Sequence, residues 1–334
     1  MSPQIKRPFH VLSSAQFDRA FLDYTCRLTD TIRRFDKSTE GLNYLKGLLN
    51  HKRAMLYFTQ PSTRTFLSFE SACHIGGIRP CEIRDSSTSS ERKGESIEDS
   101  LRTFSSYVDL IIMRTPMPGL CDRIAQVLDK TDRPVPIINA GSGPDEHPTQ
   151  ALLDIYTLAR SFRDRGGIDG KTYVMVGDLK RGRTVRSLSG LLTNYKNVRL
   201  IFVSPPEFRI NDDLRTKLKD LGVTCEETED FQGAIAAADA VYMTRVQDEY
   251  DTKGESRAVD YSRFHLKYEH LAAMKREAVI MHPLPRRNEL DPRIDDDPRA
   301  KYWRQERNGM WMRVAILVKQ FKVDHLIMHG HLLD

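Results

Sequence analysis

The chain has 334 residues, 40% hydrophobic and 29% charged, with a formal charge of +5 from 51 Lys and Arg against 46 Asp and Glu. This is the balance of a folded chain long enough for two ordinary domains, and it excludes a disordered protein. No apolar run approaches the ~20 residues that span a bilayer, and the small, dispersed positive excess suits an anionic metabolite as readily as a nucleic acid.

The opening MSPQIKRPFHVLS lacks the apolar core of a secretory signal, so a cytoplasmic location without a membrane partner is expected. Strand-like runs then alternate with helix-like ones, the signature of parallel α/β architecture. RAMLYFT (53–59), PCEIRD (80–85), VDLIIMR (108–114) and VPIINAG (135–141) predict strands, with helices over 64–77, 96–107 and 120–130 between them. A helix over 147–162 follows, with Ala151, Leu152, Ile155 and Leu158 at helical spacing and Pro148 in its first turn. The loop RDRGGIDGK comes next, so a domain boundary is expected near residue 150. The second half repeats the habit with KTYVMVGD, VRLIFVS, GVTCEE, DAVYMTR and EAVIMH. The last helix, AKYWRQERNGMWMRVAILVKQF, is apolar enough to dock on the first domain. Cys26, Cys73, Cys81, Cys121 and Cys225 are scattered and form no C-x-x-C pair. Reduced, mostly buried thiols are expected rather than a zinc site or a disulfide framework.

Several strand ends carry polar motifs. Ser62-Thr63-Arg64-Thr65 stands at a helix start, where unpaired N–H groups, a positive dipole end, hydroxyls and a planar guanidinium suit a phosphate. A simple Ser or Thr cap explains the same residues equally well. Arg114 closes one strand, and His147 and Gln150 follow another. In parallel sheets, ligands bind outside the carboxyl ends of the strands, so Arg64, Arg114 and His147 would converge on one anion. The polar loop 86–100, holding Ser89 and Lys93, has the length and the lysine of an active-site lid, although its composition is also that of a plain solvated loop. VGDLKRGRTVRSL places Arg183 at a second helix start but lacks G-x-G-x-x-G, so no dinucleotide fingerprint is present. Arg245 and Gln247 follow another strand, and MHPLPRR makes Leu284-Pro285 a candidate cis peptide. These arginines predict a second anion with carboxylates of its own. His325, His329 and His331 lie in a tail that reads as fraying rather than metal-binding.

Taken together, S-T-R-T, K-G-E, M-R-x-P, H-P-T-Q, G-R-T, M-T-R-V-Q and H-P-L-P-R, in register from about residue 50 to residue 320, resemble the aspartate/ornithine transcarbamylase family. The resemblance is to its aspartate-using catalytic chains. It implies an α/β fold of two Rossmann-like domains with parallel sheets flanked by helices, joined by interdomain helices. A carbamoyl phosphate-binding domain would span 1–150, with helix 305–334 packed back on it, and an aspartate-binding domain would span 151–304. The implied reaction transfers the carbamoyl group from carbamoyl phosphate to the amino group of L-aspartate, as in pyrimidine biosynthesis, with no cofactor and no metal.

The family's roles carry over position by position. Ser62, Thr63, Arg64 and Thr65 would hold the phosphate, while Arg114, Thr65 and His147 would surround the carbonyl oxygen. Gln150 would meet the carbamoyl amino group. Arg183, Arg245 and Gln247 would hold the carboxylates of aspartate, with the Leu284 backbone at the domain junction. Ser89 and Lys93 would reach in from a neighbouring subunit, which implies a homotrimer with shared sites. A higher assembly with a regulatory chain or a dihydroorotase stays open, and no nucleic acid partner is expected. Ornithine enzymes carry H-C-L-P where this chain has His282-Pro283-Leu284-Pro285, and they lack the G-R-T arginine. This chain departs from the family pattern at Phe66, usually basic, and at Thr115, commonly histidine. A different amine acceptor, or a non-catalytic homologue in which Phe66 marks lost activity, remains as an alternative.

Overall fold

Val, Ile, Leu and Met in near-continuous runs suit strands covered on both faces, which is where a parallel sheet places them. The structure, a computed structural model, describes residues 9–85, 94–143, 146–248, 251 and 259–329. The chain divides into two units, Met1–Thr149 with Gly309–Asp334, and Gln150–Asn308. In the first, β1 (Arg53–Phe58), β2 (Arg79–Ile83), β3 (Leu110–Thr115) and β4 (Ile137–Ser142) form a parallel sheet in the order β2-β1-β3-β4. Every residue of β3 and β4 is buried. Helices α1 (Arg19–Phe35), α2 (Thr39–Leu48), α3 (Thr63–Ile75), α4 (Ile97–Ser105) and α5 (Leu120–Leu128) accompany the sheet, and α6 (Pro148–Ser161) runs across the change of unit. On one side of the sheet Ile111 and Met113 pack with Leu101, Leu120, Ile124 and Leu128.

The second unit repeats the plan. Its strands β5 (Thr172–Val176), β6 (Arg199–Val203), β7 (Thr224–Thr228), β8 (Ala240–Met243) and β9 (Val279–Met281) are parallel, in the order β7-β6-β5-β8-β9. Helices α7 (Arg183–Leu192), α8 (Asp212–Asp220) and α9 (Phe231–Ala237) belong to it. In each sheet the chain winds outward to one edge and then returns to build the other half. The switch points therefore fall between β1 and β3 and between β5 and β8, the places where open α/β sheets receive ligands.

Two helices finish the chain, α10 (Tyr302–Gln320) and α11 (Asp324–Met328). From Gly309 onward the chain is part of the first unit again. There the buried Arg313 donates to the Ser68 hydroxyl at 2.6 Å and lies 4.9 Å over the Phe69 ring, fixing α10 to α3. The fraying tail expected from the sequence is corrected over α11. Tyr24 donates to the Asp324 carboxylate at 2.6 Å, Tyr44 donates to the Leu326 carbonyl, and Ile327 is buried. His331 lies outside the described residues. A second correction concerns the thiols: Cys73 and Cys121 are buried, Cys26 and Cys225 are half-buried, and Cys81 is exposed.

Residues 19–48 carry no predicted element, yet α1 and α2 form there, with Asp18 and Ser38 accepting N–H groups of their first turns. The segment before them pairs with the sheet. Val11 N–H donates to the Ile137 carbonyl at 2.9 Å, and Asn139 N–H donates to the Val11 carbonyl at 2.8 Å. Among the described residues, no helix is long and apolar enough to cross a membrane.

Ile111, wholly buried on central β3, tests this core. Ile111→Ala is expected to cost about 2–5 kcal/mol of unfolding free energy, read as a lower urea midpoint at unchanged slope.

Candidate active site

Strand β1 ends at Phe58, and the chain turns through Pro61 into α3. Ser62 is the N-cap residue of α3, but its side chain makes no capping bond. The hydroxyl is therefore not used in the local role that competes with anion binding. Thr63 and Arg64 are exposed in the first turn, while Thr65 is 8% exposed. The turn is tied to the next strand, because Thr59 and Gln60 N–H both donate to the Arg114 carbonyl, at 3.0 and 3.4 Å.

Arg114 is 6% exposed and its Nη1 donates to the Ala140 carbonyl at 3.1 Å. This brings the guanidinium against the end of β4, where Gly141 has φ +119. A Cβ on Gly141 would stand 2.5 Å from Arg114 Nη1 and 3.5 Å from His147 Cδ2. Arg114 and His147 thus approach the same position, and a side chain there would crowd the guanidinium while meeting His147 at ordinary contact distance; the positive φ favours glycine as well. His147 is buried, with Nδ1 3.4 Å from the Thr149 hydroxyl. The strand end has its own supports. Gly141 N–H donates to Asn139 Oδ1 at 2.8 Å, and Asn139 Nδ2 donates to the Leu12 carbonyl at 2.9 Å. Glu146 accepts from the Ser13 hydroxyl at 3.0 Å and Ser14 N–H at 2.6 Å. Gln150 sits in the first turn of α6, and its Nε2 donates to Asp154 at 3.0 Å.

In the second unit, Arg183 opens α7 behind the N-cap Gly182, which has no side chain to cap with. Arg245 and Gln247 follow β8. Asp178, at the end of β5, accepts from Arg181 N–H at 3.2 Å and Gln247 N–H at 3.1 Å, so one carboxylate holds the start of α7 and the turn after β8. Burial pushes its carboxyl up, and those donors work against the shift. Gly177, φ +123, permits a close approach here too, since a Cβ would meet the Thr244 carbonyl at 2.2 Å. The Leu284-Pro285 peptide is cis, and Leu284 has φ 48, a region few residues with a side chain adopt. Leu284 N–H donates to His282 Nδ1 at 2.7 Å. With Nδ1 accepting, the ring proton is on Nε2 and is donated to Glu289 at 2.8 Å. Burial holds the His282 pKa below its ordinary value, and the nearby charges of Arg245 and Arg286 push the same way.

Both departures from the family pattern have local explanations. Phe66 is buried edge-on against Phe58 at 5.4 Å, with the Arg84 guanidinium 4.4 Å over its ring. Thr115 accepts Met117 N–H at 3.1 Å and shapes the turn after β3. Ser89 and Lys93 lie outside the described residues. Asp154, Asp178, Asn139 and Gly141 were not among the predicted residues, and their signal was faint: single polar residues or glycines within or beside apolar runs.

Comparison with known proteins follows the same division. Residues 10–160 match the aspartate/ornithine carbamoyltransferase carbamoyl-P binding domain, and residues 169–319 match the Asp/Orn binding domain. The chain is 40% identical over 309 residues to a chloroplastic aspartate carbamoyltransferase of Arabidopsis thaliana, covering 92% of this chain and 76% of that protein. It is 38% identical to the aspartate carbamoyltransferase catalytic subunit of Thermococcus gammatolerans, covering 92% and 96%. Among solved structures, it is similar to Trypanosoma cruzi aspartate transcarbamoylase in complex with carbamoyl phosphate and aspartate. That match has a TM-score of 0.82 and 33% identity, covering 93% of this chain and 96% of the other.

Gly141→Ala is expected to displace Arg114 and lower turnover by about a hundredfold, with far-UV circular dichroism unchanged. A second expectation concerns Asp154, whose carboxyl burial pushes up from 3.8 to about 7 despite hydrogen bonds from Tyr242, Gln305 and Gln150. The folded protein holds this proton more tightly than the unfolded chain. Its contribution to stability is therefore fully present below about pH 3.8, is lost as the pH rises, and is gone above about 7. Urea unfolding of wild type and Asp154→Asn between about pH 5 and 8 should show the variant gaining on wild type as the pH rises. A constant difference would mean that Asp154 titrates as an ordinary carboxyl.

Proposed function

Because the chain belongs to the aspartate/ornithine carbamoyltransferase family, we infer that it is an aspartate carbamoyltransferase, moving the carbamoyl group from carbamoyl phosphate to the amino group of L-aspartate. The product is N-carbamoyl-L-aspartate, an intermediate of pyrimidine biosynthesis, and phosphate is released. The observation that supports the site assignment is the approach of Arg114 and His147 to the same Cβ position of Gly141, at the end of β4.

In this reading the phosphate rests on the first turn of α3, held by Ser62, Thr63, Arg64 and Thr65. Support comes from the uncapped helix start, whose N–H groups and dipole favour an anion. The free amine of aspartate attacks the carbonyl carbon, and negative charge builds on the carbonyl oxygen. Donors from Arg114, His147 and Thr65 stabilise that charge without reorganising, because burial has already fixed them. Gln150 meets the carbamoyl amino group. Phosphate leaves with the bonding electrons and can take the proton of the attacking amine. Arg183, Arg245 and Gln247 hold the aspartate carboxylates, and the Leu284 carbonyl region adds a backbone contact. The two arginines, and the Pro283 that stands where ornithine enzymes have cysteine, favour an acidic acceptor.

The finer proposals are a homotrimer, in which Ser89 and Lys93 complete the site of a neighbouring subunit, and a cytoplasmic location. All five cysteines are thiols rather than disulfides, which suits a reducing compartment.

A ureido-product assay offering carbamoyl phosphate with aspartate, ornithine or no acceptor tests the reaction, and product is expected with aspartate alone. Arg64→Ala should lower turnover at least about a hundredfold while the fold is retained. Near-wild-type turnover in that variant would remove α3 from the mechanism.

A further inference from the structure

Helix α6 carries one carboxylate in the middle of an apolar stretch: Asp154 is 0% exposed between Leu153 and Ile155, themselves buried. Its Oδ1 accepts Gln150 Nε2 at 3.0 Å and Gln305 Nε2 at 2.7 Å, and its Oδ2 accepts the Tyr242 hydroxyl at 2.8 Å. Taking a carboxylate out of water is costly, and an apolar residue of similar size often serves stability as well or better. Its presence therefore calls for a reason besides stability.

Each donor leads to a different motif. Gln150 ends H-P-T-Q. Tyr242 lies on β8 directly before the stretch bearing Arg245 and Gln247, and its hydroxyl is also bonded by Thr184, the neighbour of Arg183. Gln305 passes the contact on, because its Oε1 accepts His282 N–H at 3.0 Å, and His282 Nδ1 accepts Leu284 N–H at 2.7 Å. One buried carboxylate thus joins Gln150, the last residue of H-P-T-Q, to G-R-T, M-T-R-V-Q and H-P-L-P within the second unit.

We propose that Asp154 is a positioning residue for both substrates, setting the amide of Gln150 directly and the Leu284 turn through Gln305 and His282. The proposal rests on the carbamoyl-transfer reading above. The chemistry at Gln150 is specific. With its Nε2 donating to Asp154, the amide presents Oε1 to the substrate, the correct end to accept from a carbamoyl NH2 group. A reversed amide would set donor against donor. Asn at position 154 can preserve this arrangement, keeping Oδ1 for both glutamines and turning Nδ2 toward the Tyr242 oxygen. Leu cannot.

Steady-state kinetics on purified, folded protein separate the branches. Asp154→Leu is expected to raise KM for both substrates and to lower kcat/KM by about a hundredfold, whereas Asp154→Asn stays within a few-fold of wild type. Gln305→Met, which cuts the branch to Leu284 and leaves the Gln150 bond to Asp154 in place, should raise KM for aspartate about tenfold and leave KM for carbamoyl phosphate unchanged. This split does not depend on Asp154→Leu folding, and a merely structural role would not produce it. Folded Asp154→Leu with wild-type constants, or Gln305→Met altering both KM values alike, overturns the proposal while the carbamoyl-transfer reading stands. No product from the wild-type chain overturns that reading, and the proposal with it.

Discussion

A buried guanidinium must be met by oxygen and given room, and the first unit is organised around that requirement at Arg114. The side chain sits at the end of a strand buried at every position, its Nη1 on the Ala140 carbonyl. The room comes from Gly141, which has a backbone conformation that residues with side chains rarely adopt. That conformation is held in turn by Asn139, whose amide reaches both Gly141 N–H and the Leu12 carbonyl. Residues 10–14, which carry none of the motifs read from the sequence, thereby acquire a physical role. They pair with β4 and grip Glu146 beside His147, so the placement of Asn139 and of Glu146 depends on them.

The second unit solves a related problem in a related way. Gly177 clears space at the end of β5, and Asp178 beside it holds two turns at once. Here the fixing group is charged, because the cationic turn it anchors begins with Arg181. That guanidinium lies 5.0 Å over Phe208 and 3.1 Å from Asp251. The sheets supply the positions, and one glycine and one polar side chain at a strand end of each unit shape them into a site.

The strands were legible because a parallel sheet demands continuous apolar runs, and each predicted run lies within a few residues of an observed strand. The motif residues were legible because they crowd the strand ends. Helices α1 and α2 were not named, since their apolar positions are diluted by Arg, Thr and Asp in α1 and by Gly, Asn and Lys in α2, and caps at Asp18 and Ser38 are weak signals in isolation. The thiols were misjudged because burial of one small residue depends on its sheet neighbours: Cys81 lies on edge strand β2 and Cys121 inside a core cluster. Asp154 was invisible for the same reason. A carboxylate i+4 from Gln150 looks like a solvated helix face until Tyr242 and Gln305, distant in sequence, close over it.

The path of the chain has one further consequence. The second unit is a single uninterrupted stretch, whereas the first is assembled from residues on both sides of it. Since domains generally fold as units as the ribosome delivers them, the order of completion runs against the order of the sequence. Gln150–Asn308 has all its strands before the partners of Ser68 and Tyr24, Arg313 and Asp324, have been made. The nascent first sheet waits with the α3 surface uncovered, and helices made only after the second unit close the domain that was begun first.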